Sequence, residues 1–159
     1  MEKKENYARP IAAACGEGEE EPAELLFAVV PQAEALIVHR NGESRRFTRG
    51  SGAFASAAAA WRAMTEGAVR MPAFGVSIDR LTREEMREGL WAEFCFAKEQ
   101  TVAGMPFTAL LFAVKEEFCG FNVVRLYDGG YNGRCFYIDL RGGTMRPFAE
   151  ALAAVCGQP

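Results

Sequence analysis

Four apolar runs crowd into the C-terminal half of the chain: LWAEFCFA (90–97), FTALLFAV (107–114), GFNVVRLY (120–127) and RCFYIDL (134–140). Runs of this length, rich in Phe, Val, Leu and Tyr and bounded by Gly, Asp and Asn, read as strands. The links between them are short, which favours antiparallel neighbours because a parallel crossover needs a dozen or more residues. An antiparallel four-strand meander is therefore expected, and the rest of the chain has to pack around it.

Upstream, EALIVHR and ESRRFT flank Asn41-Gly42. That dipeptide is the strongest short-range hairpin signal, since both turn residues must take positive φ, and it predicts strands at 35–40 and 43–48. In AFASAAAAWRAMTEG, residues Phe54, Ala57, Ala58, Trp61 and Met64 recur with helical spacing, with Gly67 as the stop. PFAEALAAVC (147–156) carries Pro147 in its first turn and reads as a second helix. LTREEMREG predicts a helical turn over 82–88, with Thr82 and Glu85 as a capping box, Leu81 and Met86 as a hydrophobic staple and Gly89 as the stop. AFGVSID (73–79) is a short strand-like run that leaves mixed sheet order open, and in PAELLFAVV (22–30) helix and strand compete, with helix the preferred reading.

The expected fold is α+β: one domain over residues 22–159, with a largely antiparallel sheet of four to six strands. Its parts are an N-terminal hairpin and the C-terminal four-strand meander, with helices 53–66 and 147–156 packed on one face. Residues 1–21 read as a flexible acidic arm, because Gly16 to Glu21 is nearly all Gly and Glu and has no apolar surface to bury. At 159 residues and 50% hydrophobic content, one core without disulfides or metal is expected.

Charge and cysteine usage exclude several classes. A net charge of −3 gives no overall footprint for nucleic acid, whose phosphates need Lys and Arg. The five cysteines show no C-x-x-C spacing, and with one histidine they make no familiar zinc signature, so no metal or cofactor is expected. Reduced cysteines inside strand-like runs suit a cytoplasmic setting. The stretch IAAAC (11–15) is too short for the apolar region of a signal peptide, and no membrane span or membrane partner is expected.

Side chains alternate along a strand, so each even hairpin sorts its residues into two faces. Phe121, Val123, Arg125 and Tyr127 share one face with Phe136, Ile138, Leu110, Phe112, Val114, Phe94 and Phe96, and this is the expected core. The second face holds Ala109, Leu111, Ala113, Val124, Leu126 and Cys135 together with Trp91, Glu93, Asn122, Tyr137 and Asp139. An apolar surface broken by a few polar groups suits a ligand site or a homodimer interface, or a second layer of the same chain lying across it. Glu93 and Asp139 are candidates for paired carboxylates there, subject to strand order.

Gly50, Gly52 and Ala55 have the spacing of a dinucleotide fingerprint, but the strand before them is polar and already committed to the Asn41-Gly42 hairpin, which argues against that fold. Arg45, Arg46 and Arg49 beside Gly50, Ser51 and Gly52 at a helix start form a candidate site for a simple anion. The competing reading has Ser51 or Thr48 capping the helix and the arginines lying on a solvated strand face. YDGGYNGRC (127–135) reads as a hairpin loop with Tyr131 at its tip, available to a partner. KEQTVAGMP (98–106) is longer than a tight hairpin needs and reads as a rim or lid. His39 reads as a surface strand residue, with no acid in view to orient it.

These features favour a non-catalytic binding or assembly module using the half-polar sheet face at Trp91, Glu93, Asn122, Tyr137 and Asp139, for a protein partner, a second copy or a small ligand. The alternative is a small-molecule enzyme or sensor that takes an anionic or phosphate-bearing ligand at Arg45, Arg46, Arg49 and the Gly50-Ser51-Gly52 helix start. No catalytic constellation is visible, so the balance leans away from an enzyme.

Overall fold

The computed structural model describes residues 23–77, 79–131 and 133–157, and the expected arm at 1–21 lies outside the described residues. The chain runs through α1 (Ala23–Val29), a 3-10 turn (Val30–Gln32), β1 (Ala35–Arg40), β2 (Glu43–Thr48), α2 (Gly52–Thr65), β3 (Val69–Ser77) and α3 (Asp79–Glu85). It continues through β4 (Leu90–Val102), β5 (Met105–Val114), β6 (Gly120–Leu126), β7 (Gly133–Asp139) and α4 (Arg146–Cys156). The strands form one antiparallel sheet of seven in the order β2-β1-β4-β5-β6-β7-β3, giving an α+β architecture.

The meander β4-β5-β6-β7 and the hairpin β1-β2 are both present, and the hairpin docks through β1 onto β4. Seven strands exceed the four to six expected. The excess arises because β3 is longer than the 73–79 run indicates and pairs with β7 at the far edge, antiparallel, so the sheet is not mixed. Asn41 and Gly42 take φ of 52° and 90°, as the two-residue turn requires.

The segment at 98–106 is not a lid. β4 runs to Val102, β5 starts at Met105, and Ala103 (φ 53°) with Gly104 (φ 76°) closes a second tight hairpin. The apparent extra length is absorbed by a register shift between Cys95 and Gln100, where β4 advances five residues against two on β5.

Two connections cross the sheet, one on each face. From edge strand β2 the chain returns to edge strand β3 through α2, which packs with α1 and α4 over the core face. Phe54, Ala57, Ala58, Trp61 and Met64 are buried there, with Phe148, Ala149, Leu152 and Val155 from α4. Ser51 caps α2, its hydroxyl accepting the Phe54 N–H (3.1 Å) and donating to the Thr48 carbonyl (2.8 Å). From β3 the chain returns to β4 through α3, across the second face, where Met86 packs on Leu111, Val124 and Tyr131.

The capping box expected at Thr82 does not form. The helix begins at Asp79, Thr82 lies inside it at 7% exposure, and the expected staple residue Leu81 is 43% exposed. Burying the sheet-facing side of the crossover outweighs the local capping signal. The helix ends at Glu85, so Gly89 is not its stop; at φ 77° it turns the chain into β4, its N–H donating to Asn41 Oδ1 (3.1 Å).

Candidate functional site

The most organised polar group in the fold is a chain of four side chains on the second face: Ser44, His39, Glu93 and Tyr131. The Asn41-Gly42 turn makes Arg40–Glu43 the first hydrogen-bonded pair of the hairpin, and the Arg49 N–H on the Glu34 carbonyl (2.9 Å) keeps the same phase at its far end. His39–Ser44 is therefore a pair of the other kind, in which cross-strand side chains come closest. His39 Nδ1 lies 2.7 Å from Ser44 Oγ. On its other side β1 pairs with β4, His39 opposite Trp91 and Ile37 opposite Glu93. Glu93 is thus the diagonal neighbour of His39, and its Oε1 lies 2.8 Å from His39 Nε2.

The Tyr131 hydroxyl donates to the second carboxylate oxygen, Oε2. Tyr131 gets there because Asp128 (φ 56°) and Gly129 (φ 84°) make a tight turn, closed by the Tyr127–Gly130 bridge before β7 begins. The ring, 2% exposed, then folds back onto Leu111 and Val124 instead of standing at the loop tip as expected. The Arg83 guanidinium sits 5.1 Å above the ring.

Glu93 is 9% exposed, and a buried carboxylate needs hydrogen-bond donors. Accepting from Tyr131 on one oxygen and from Nε2–H on the other assigns the proton of neutral His39 to Nε2. Nδ1 is then left as the acceptor for the Ser44 hydroxyl. The result is a directed path from an exposed hydroxyl, through a largely buried imidazole, to a buried carboxylate. Cys95 lies two residues beyond Glu93 on the same face. Burial, followed by the Glu93 charge, pushes its thiol up to about 11.

Of the five residues expected on the face, Trp91 and Glu93 belong to this corner, with the Trp91 indole N–H donating to the Glu88 carbonyl (3.0 Å). Asn122, Tyr137 and Asp139 lie toward the opposite edge of the sheet on β6 and β7. Glu93 and Asp139 do not pair: three strand spacings separate β4 from β7, about 14 Å at the usual inter-strand distance. Asp139 instead accepts the Arg141 N–H (2.9 Å), and Asn122 Oδ1 accepts from the Cys135 thiol (3.7 Å). Tyr137 lies across Gly120, where a Cβ would displace its phenol ring. The apolar centre between the two ends is covered by the chain itself, Leu111 at 0% exposure beneath Met86 and Tyr131.

The three arginines of the hairpin do not converge. Arg45 pairs with Val38, on the core side, and donates to the Cys156 carbonyl at the end of α4 (3.0 Å). Arg46 pairs with Ile37, on the opposite side, and meets Glu34 at 3.6 Å, while Arg49 reaches the Gln32 carbonyl at 3.4 Å. Ser51 is occupied as the helix cap, and Gly50 and Gly52 stand in open space.

Two members of the chain were legible only in part. His39 reads as a surface residue without an acid, yet the Asn41-Gly42 register already places it opposite Ser44; its acid comes from a strand that no local signal makes its neighbour. Among the described residues no three His, Cys, Asp or Glu side chains group as metal ligands would, and no helix is long and apolar enough to cross a membrane. Comparison with known proteins finds no family model that matches the chain, and no curated protein or solved structure that matches it.

Proposed function

We propose that this protein is a binding module whose working surface is the polar corner of the second sheet face, at Ser44, His39, Trp91 and Glu93, and that it takes a small hydrogen-bonding ligand. The observation that carries this reading is the linkage of an exposed Ser44 hydroxyl to a buried Glu93 carboxylate through His39. A ligand donor or acceptor that engages Ser44 competes with the imidazole and is felt at the carboxylate.

The size of the corner favours a small ligand over a protein. Specific protein interfaces bury about 800 Å² on each partner. Here the apolar centre that would anchor such an interface is covered by Met86 and Tyr131.

His39 is the sole histidine of the 159 residues, so its imidazole signals in a proton NMR spectrum need no assignment. Titration with a panel of short-chain amides and esters is expected to give a saturable shift of those signals that Ser44→Ala removes. A panel that leaves the imidazole unmoved, or a shift unchanged in Ser44→Ala, would sink this reading.

A further inference from the structure

We propose that Ser44 is an acyl-accepting nucleophile, with His39 as its general base, and that the ligand class of the polar corner is a carboxylic ester with a short acyl chain. The inference rests on the binding reading above and adds chemistry to it. The arrangement has the roles of a Ser-His-acid triad with the two ring nitrogens exchanged: Nδ1 faces the hydroxyl at 2.7 Å and Nε2 faces the carboxylate at 2.8 Å.

Three further features fit. Ser44 lies on the outer edge strand, exposed, where an ester carbonyl can approach it. In the phase of the hairpin already described, the backbone N–H of Ser44 points away from β1 and off the sheet edge. It is thus a donor beside the nucleophile for the oxygen of a tetrahedral intermediate. Trp91, opposite His39 and half-buried, offers an apolar wall for the acyl chain.

In the first step Ser44 Oγ attacks the ester carbonyl carbon, its proton passes to His39 Nδ1, and the carbonyl π pair moves onto oxygen. Collapse of that intermediate breaks the bond to the alcohol oxygen, which leaves with the proton from Nδ1, and the acyl group remains on Ser44 Oγ. Water then attacks the acyl carbon and gives a proton to Nδ1. A second collapse releases the carboxylic acid and returns that proton to Ser44 Oγ. Glu93 stabilises the imidazolium formed in each half. Tyr131 is a positioning residue, holding the carboxylate by its other oxygen.

The test uses the full chain with two probes, a fluorophosphonate and p-nitrophenyl acetate, with circular dichroism to establish that each variant is folded. The expected outcome is a phosphonyl adduct on the peptide carrying Ser44. Ester hydrolysis is expected to fall about 100-fold or more in Ser44→Ala and His39→Gln, the usual scale for removing a general base. Cys119→Ser, which removes an exposed thiol, should hydrolyse at the wild-type rate. Tyr131→Phe should lower the hydrolysis rate per Ser44 site titrated by the fluorophosphonate, a ratio that mere loss of folded protein does not change. An adduct elsewhere, wild-type hydrolysis in folded Ser44→Ala, or loss of hydrolysis in Cys119→Ser would each overturn the nucleophile. If esters shift the imidazole signals but Ser44 is never modified, the binding reading stands and the chemistry falls; if neither occurs, both fall.

Discussion

Beneath α2, Trp61 meets Phe94, Phe112, Phe121 and Phe148 with ring centroids 5.5 to 6.2 Å apart. Beneath α3, the buried apolar cluster is Leu111, Val124 and Tyr131, and its edge is a carboxylate. Both faces are crossed by a helix on its way from one strand to a distant one, but α2 has 14 residues and α3 only seven. A long helix can lay a full apolar stripe along a sheet and close it by area. A short one cannot, so the second face is completed by a folded-back tyrosine and by hydrogen bonds. The difference teaches where function can sit: on the face closed by area the buried Arg125 is tied to the Pro106 and Arg134 carbonyls, whereas the face closed by hydrogen bonds must keep Glu93 supplied with donors.

The comparison breaks most visibly at Trp61. Trp61→Ala is expected to cost about 3–5 kcal/mol, the range for emptying an aromatic site in a packed core. Urea unfolding measures this, and a loss no larger than that of a second-face substitution would show that area does not dominate the α2 side. Next comes Tyr131→Phe, which keeps the ring and removes one donor from a buried carboxylate. It is expected to cost about 1–3 kcal/mol, and unchanged stability would mean that the Tyr131–Glu93 contact does not hold the second face closed.

The smallest effect is at Cys95, where the second face reports its own burial. Its thiol titrates near 11 in the folded chain against an ordinary 9.0, so the unfolded chain loses the proton first and stability falls as pH rises through that window. At pH 8, iodoacetamide is expected to modify the exposed Cys119 well before Cys95. Equal rates by peptide mass spectrometry would contradict a closed face.

How much of this can be read from the residues follows the range of the interactions. The meander, the Asn41-Gly42 hairpin and the α2 stripe are local patterns of alternation, turn chemistry and helical period, and all three appear where they are expected. The split of the sheet into two faces also holds, because parity survives any even turn. The Ala103-Gly104 turn was hidden because an alanine at φ 53° carries no turn signal. The partnership of His39 with Glu93 was hidden because it depends on β1 choosing β4, a tertiary decision. Tyr131 was misplaced because loop composition says where a chain turns and not onto which surface it falls.

The three links of the polar chain close loops of very different size: five residues from His39 to Ser44, 54 from His39 to Glu93, and 38 from Glu93 to Tyr131. Closing the longer loops costs chain entropy before the contact gives anything back. A folding intermediate with the meander formed and the N-terminal hairpin detached therefore carries the carboxylate and the phenol, but neither the imidazole nor the hydroxyl. The corner is assembled only on completion of the fold, so the ester hydrolysis proposed for it would, if found, serve as a direct count of fully docked molecules.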